Sequence, residues 1–257
     1  ISHDPAAVRK AVGEWLAGLD AAAADFPRLQ LEGLRLLQAI DRGSAGDIEP
    51  ALLAAVLNSA DPRARAAAAR ITVDWSDRLD DPAGLLAGTA IDESMLVRLE
   101  GVRALAAIGG AKAAERALQA VDQPRDDALD YAVWLAAREL RPDWLPAVVA
   151  GRSPLLDHPR RLLFAIEATA AAEAIPAVVN LLQADGLSAA DRAAPVDCIA
   201  RFGGPEERQR ALAEALAATT PPGRAAALRT HLLDGQRRRG VKPAGSLDGL
   251  ARLIGSP

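Results

Sequence analysis

The chain has 257 residues, half of them apolar but only 3% aromatic, with a net charge of −4 and an isoelectric point near 5.5. That balance argues against a nucleic-acid binder whose affinity rests on neutralising phosphates. The longest apolar runs, such as ALLAAVL at Ala51 to Leu57, fall far short of the ~18 residues that span a bilayer, and a single cysteine, Cys198, excludes an internal disulfide and a cysteine-based metal cage.

Alanine carries much of the apolar share, and alanine is the best helix former. The β-branched and aromatic residues that strands favour are too sparse for a large sheet, so the composition predicts an all-α protein. The chain starts at Ile1 without an initiator methionine, a signal peptide or a transit segment, from which we expect a segment of a longer protein.

Taken in chain order, helix-start signals recur at a steady interval. Asp25 with Pro27, Asp61-Pro62, Asp92, Asp126, Asp157 with Pro159, Ser188, and Thr220-Pro221 each precede a stretch of helical periodicity. An Asp, Ser or Thr at the N-cap accepts a bond from an otherwise unpaired amide, and proline suits the first helical turn. The signals stand 31 to 36 residues apart. Each opens a longer helix of roughly 14 to 18 residues, an ordinary length for a globular protein. Shorter helical stretches lie between them: IEPALLAAVL from Ile48, PAGLLAGTA from Pro82, AAERALQAV from Ala113 and AIPAVVNLL from Ala174. Breaker clusters separate them: RGSAG after Asp41, Gly109-Gly110, QPRDD from Gln123, ADGLS from Ala184 and FGGP from Phe202. A last short helix is expected near Leu247 to Ile254.

One phrase recurs along the chain: LEGLRLLQAI at Leu31 to Ile40, LEGVRALAAIGG at Leu99 to Gly110, and a faded VDCIARFGG at Val196 to Gly204. In the second copy Leu99, Val102, Leu105 and Ile108 form one apolar stripe. A single hairpin cannot bury such a stripe, so copies must stack. The expected fold is one repeat domain over residues 1–257, a right-handed α-solenoid of about seven helical hairpins.

The stretch DPRARAAAARI, Asp61 to Ile71, resembles the second helix of HEAT repeats, which runs Asp-Pro, a spacer, a small residue, Arg, then alanines and an aliphatic residue. A narrower resemblance covers roughly Arg28 to Trp144, where LEGLRLLQAI, DPRARAAAARITVDW, VRLEGVRALAAIGG and AAERALQAVDQPRDDALDYAVWLAARELRPDW follow one another. The succession is similar to the HEAT segment of large bacterial proteins described as membrane-bound dehydrogenases, in which a β-propeller precedes the HEAT region and a c-type cytochrome follows it. The most family-like element is Leu129 to Tyr131, with Arg138 and the ending at Trp144. The resemblance implies an exported, periplasmic parent protein. No Cys-x-x-Cys-His site and no propeller-blade pattern occurs in this chain, so the redox parts would lie outside it.

Motifs that would carry chemistry are sparse. His3, His158 and His231 fall in different repeats without the i, i+4 partner of a metal pair, and His158 reads as a loop residue. There is no Gly-x-Ser-x-Gly elbow, and GSAG at Gly43 to Gly46 lacks the lysine and the strand of a phosphate loop. The pairs Asp80-Asp81, Asp126-Asp127 and Glu206-Glu207 sit at helix starts, where carboxylates suit the dipole. Cys198 lies on an apolar helix face and reads as a small buried hydrophobe. Of Trp15, Trp75, Trp134 and Trp144, the best groove member is Trp134, one turn from Asp130 and Arg138; tryptophans at helix ends more often plug gaps between repeats.

Two arginine patterns remain. Arg237, Arg238 and Arg239 with Lys242, after Arg224 and Arg229, read either as a solvated helix end or as a docking patch for a neighbouring domain or an anionic partner. Counting four residues on from Asp61, Asp157, Ser188 and Thr220 lands on Arg65, Arg161, Arg192 and Arg224, and Arg98 stands six after Asp92. Stacked repeats would turn these into a ladder reaching turn carbonyls or the next capping carboxylate, with Arg208, off the ladder, expected to be solvated and dispensable.

These observations predict a non-catalytic, monomeric scaffold or interaction solenoid that needs no cofactor or metal, inserts in no membrane, and binds a protein or a neighbouring domain rather than nucleic acid. The resemblance makes the redox domains of an exported haem-containing dehydrogenase-like protein the expected neighbours. A free-standing HEAT-repeat adaptor is the alternative. A HEAT-fold nucleic-acid enzyme, such as the DNA glycosylases built on this scaffold, is a third reading that the acidic composition disfavours.

Overall fold

The computed structural model describes residues 4–41, 48–183, 188–216 and 220–245. Every regular element among the described residues is helical, and none is a strand. His3, the turn at 43–46 and the closing helix expected at 247–254 lie outside them. In chain order the α-helices are α1 (Pro5–Ala17), α2 (Phe26–Asp41), α3 (Pro50–Leu57), α4 (Pro62–Asp74), α5 (Pro82–Leu85), α6 (Met95–Ile108), α7 (Ala111–Ala117) and α8 (Asp127–Glu139). They continue as α9 (Arg141–Val149), α10 (Pro159–Thr169), α11 (Ile175–Gln183), α12 (Ala189–Phe202), α13 (Pro205–Leu216) and α14 (Pro222–Arg239).

Several starts are fixed by the expected caps. The Asp61 carboxylate accepts the Arg63 amide at 2.8 Å, Asp126 accepts Leu129 at 2.8 Å, and the Ser188 hydroxyl accepts Asp191 at 3.2 Å. Three expected caps shift. Ser94, not Asp92, precedes α6; Asp92 accepts the Ser94 amide at 2.8 Å. His158, not Asp157, precedes α10, because Asp157 ends a 3₁₀ turn over Pro154–Asp157. Pro221, not Thr220, precedes α14, and the Thr220 hydroxyl turns back to the Glu214 carbonyl at 2.7 Å. Asp92 and Thr220 each have a local partner other than the first-turn amides, and at all three starts the backbone position passes to a neighbour. Helix α1, capped by Asp4, stands before the first expected start. Helix α10 is shorter than expected, with 11 residues, and stops at Ala170, whose φ of 53° is left-handed.

The chain divides into two compact units, Ile1–Leu140 and Arg141–Pro257. In the first, the longer helices pack in sequence, α2 on α4, α4 on α6 and α6 on α8. The short helices α3, α5 and α7 each pack on the two long helices that flank them, and α1 packs on α2. In the second unit α10, α12 and α14 pack in sequence, α11 lies on α12, and α13 packs between α12 and α14.

Small residues make this packing close. Helix α4 buries Ala64, Ala66, Ala67, Ala68 and Ala69 in one run, together with Ile71. Without bulky side chains the backbones of α4 and α6 approach each other closely. The glycine of the repeated LEG phrase has the same role. A β-carbon at Gly101 would lie 2.3 Å from the Thr89 hydroxyl, and one at Gly33 would meet the Leu16 side chain. Larger residues, Leu34, Leu53, Leu86 and Leu105 in the first unit and Leu155, Leu162 and Ile166 in the second, fill the seams and stabilise by ~1.5–3 kcal/mol each when wholly buried.

Candidate interaction surface

The ladder arginines face the fold. With Ser94 as the cap of α6, Arg98 stands four residues after it, as Arg65 does after Asp61 and Arg192 after Ser188. Arg65 donates from Nε and Nη2 to the two Asp92 oxygens at 2.9 and 2.7 Å, and from Nη1 to the carbonyls of Ser59 and Ala60 at 2.9 and 3.2 Å. This bidentate pair, charged on both sides, holds the guanidinium pKa above its usual value. Arg98 donates to the Asp92 and Glu93 carbonyls at 2.5 and 3.1 Å and to the Pro124 carbonyl at 3.0 Å. Each side chain thus ties the start of its own helix to the turn before the next one.

In α8 the equivalent position is Asp130, and the guanidinium comes instead from Arg125, which pairs with Asp130 and donates to the Ala120 carbonyl at 3.3 Å and to that of Val121. In the second unit Arg192 donates to the Leu182 carbonyl at 3.1 Å, while Arg161 is half-buried three residues after His158. Arg224, three residues after Pro221, bonds Asp197 at 2.5 Å and the Ala193 carbonyl at 2.9 Å.

Arg224 is therefore engaged within the fold rather than presented with the C-terminal basic cluster. Arg239 likewise donates to the Phe202 carbonyl, and Arg229 is half-buried. Arg237, Arg238 and Lys242 are exposed around the end of α14, which Gly240 closes in the left-handed region with φ 68°. Cations there complement the helix dipole.

The expectation for Arg208 is overturned. Its side chain has 0% exposure, and Gly235 of α14 lies so close that a β-carbon there would sit 2.0 Å from Nη1. Only Nη2 has an acceptor, the Leu232 carbonyl, while Nε and Nη1 have none. Burial, together with the nearby Arg239 charge, pulls its pKa down. The stretch EERQR is so polar that it reads as solvated, and nothing local announces that α14 covers its third residue.

Among the described residues no group of three or more His, Cys, Asp or Glu side chains is placed to hold a metal ion, and no helix is long and apolar enough to cross a membrane. Cys198 is buried, and burial pushes its thiol up to about 12. Asp81 accepts the Gly84 amide at 2.8 Å and pairs with Lys112, whose hydrogen bond holds the carboxyl below its usual range. Asp126 is a cap, and Glu206 and Glu207 lie in the first turn of α13. His231 stands 3.8 Å from Asp197 and His158 begins a helix.

The tryptophans divide. Trp75 and Trp144 are buried and fill seams, whereas Trp15 is exposed, as is Trp134 at 38%. Trp134 stacks on Tyr131 with ring centroids 5.8 Å apart and planes 23° from parallel, and the Arg138 guanidinium lies 4.7 Å over its ring. Residues 131, 134, 135 and 138 share one face of α8 by helical spacing. Tyr131, at 62% exposure, also lines a groove of about 660 Å³ between α6 and α8. Leu99, Ala106, Ala132, Leu135 and Ala136 contribute apolar surface, and Arg103 and Glu139 bring the charges. Beside Arg103, the Glu100 carboxylate is only 8% exposed and is shared by Arg70 and Arg103, each 3.5 Å away.

Sequence reasoning pointed to Trp134 and Arg138, but it took Tyr131 only as part of a resemblance and missed Arg103 and Leu135. The available signal was the aromatic pair at i, i+3 in a chain with four tryptophans and one tyrosine. Smaller grooves occur in the second unit, of about 430 Å³ between α9 and α11 and about 220 Å³ among α11, α12 and α13. Compared with protein-family models, curated proteins and solved structures, the chain matches none.

Proposed function

We propose that this chain is a non-catalytic interaction scaffold, a HEAT-like α-solenoid that uses the α6–α8 groove to hold a protein segment. The observation that carries the reading is the exposed Tyr131–Trp134 stack beside that groove. Aromatic side chains left in water on a well-packed helical row are costly to keep and suit the centre of a protein interface. The ladder of Arg65 and Arg98 supports the HEAT-like reading, because it joins successive turns as a stacked repeat requires. The test places a photo-crosslinking side chain at position 131 or, as a control, at the exposed Arg63 on α4, in the native cell. A discrete protein adduct from 131 and none from 63 is expected; no adduct at 131, or the same adducts at both positions, overturns the reading.

The wider role, linking or docking redox domains of an exported dehydrogenase-like protein, rests on the resemblance of residues 28–144. A reading frame that encodes Cys-x-x-Cys-His after this chain supports it; one without haem-binding and propeller sequences favours the free-standing adaptor.

A further inference from the structure

The groove between α6 and α8 has polar groups at its lips and almost none along its floor. A small-molecule site places a few polar groups inside the cavity to fix orientation. Here the floor is mainly alanine and leucine, and about 660 Å³ of open space admits more than one side chain. Alanines also let a backbone approach closely, which suits a polypeptide occupant. The α6 lip carries Arg103, 65% exposed, whose one acidic partner among the described residues, the buried Glu100 carboxylate 3.5 Å away, is shared with Arg70 of α4, also at 3.5 Å. Two guanidiniums against a single carboxylate leave a net positive charge and outward-facing N–H donors. The other wall carries the Tyr131 ring and, at the far end of α8, Glu139, which disfavours a second acidic group there.

We infer that this groove recognises a segment of a partner protein in which a leucine-like side chain stands beside an Asp or Glu. The aliphatic group lies on the alanine floor against Tyr131, and the carboxylate takes the free donors of Arg103. A guanidinium–carboxylate pair at an interface is directional, so it sets which segments are accepted as well as adding affinity. Nucleic acid is disfavoured because Glu139 would face its phosphates along the same groove.

This inference rests on the reading of the chain as an interaction module, and the two fail differently. The probe is a phage-displayed library of random dodecapeptides, panned on the purified full chain. Parallel selections use Arg103→Glu, Arg103→Lys, Arg103→Gln and Ala107→Trp, which fills the groove from an exposed position on α6. On the wild-type chain, sequences pairing Leu, Ile or Met with an adjacent Asp or Glu are expected. The best of them, as a synthetic peptide, should bind Arg103→Gln at least tenfold more weakly and Arg103→Lys within a few-fold. Arg103→Glu should select basic residues at the acidic place. Selection without an acidic bias, or unchanged selection by Arg103→Glu, overturns the inference and leaves the groove as a docking site of other specificity. No selected sequence on the wild-type chain, or sequences indifferent to Ala107→Trp, overturns the interaction reading of this groove as well.

Discussion

Cys198 and Arg208 are both wholly buried, and burial acts on them in opposite directions. The Cys198 thiol is pushed up to about 12 by burial first, with Glu167 and Asp197 adding to the effect. An unfolded thiol titrates near ~8.5, so the folded chain holds the proton over the window from there to about 12. The stability tied to that proton is complete below ~8.5 and is lost as the pH rises through the window. Urea midpoints measured from pH 7 to 10.5 should fall less steeply for Cys198→Ala than for the wild-type chain. Equal slopes contradict the buried assignment, and iodoacetamide at pH 8 should leave the folded thiol unmodified.

For Arg208, burial works against the charge, and two of its three nitrogens have no acceptor. Arg208→Met keeps much of the packing and removes the charge, so it should be neutral or stabilising by about 1–4 kcal/mol in urea unfolding. A loss above ~1 kcal/mol would show that the guanidinium is satisfied in solution. Position 208 was misread because burial of a charged residue is set by what covers it. Cys198 was legible because it lies on the apolar face of its helix, where a small side chain is buried.

At the scale of the helix, the joints between successive helices carry the specificity of the row. Arg65 bonds the Asp92 carboxylate and two turn carbonyls at once, while Arg63, two residues away, is exposed. Arg65→Met should therefore cost on the order of 1–3 kcal/mol, and Arg63→Met under ~0.5 kcal/mol. Equal urea midpoints for the two variants would reduce the ladder to solvated charges.

The glycines supply a second comparison. Gly101→Ala drives a methyl group into Thr89, which is buried and bonded to the Leu86 carbonyl at 2.8 Å, so a loss of about 1–3 kcal/mol is expected. Gly13→Ala, on the exposed side of α1 with nothing within 4 Å, should instead stabilise by ~0.5–1 kcal/mol. The same melting temperature for both would mean that the Gly101 contact is slack. The four-residue offset from cap to arginine holds at Arg65 and Arg192 and is gained at Arg98 once Ser94 replaces Asp92 as the cap, but it shortens to three at Arg161 and Arg224, where His158 and Pro221 are the caps.

For the whole molecule, the net charge is −4, and among the described residues no group of three or more His, Cys, Asp or Glu side chains is placed to hold a metal ion. Elemental analysis and absorption spectra of the purified chain should show no stoichiometric zinc, iron or copper and no Soret band; one metal per chain at full occupancy would overturn the non-catalytic reading. The all-helical class, the alternation of short and long helices and the spacing of their starts follow from the sequence alone, because caps, breakers and apolar stripes act within a few residues of themselves. Only tertiary structure decided which side chains those helices cover. Arg208 lies under Gly235 while Tyr131 stands in water, and Glu100 sinks between two arginines that approach it from α4 and α6. Exposure is set by the neighbour that packs against a residue, and in a row of similar helices that neighbour comes from about thirty residues away along the chain.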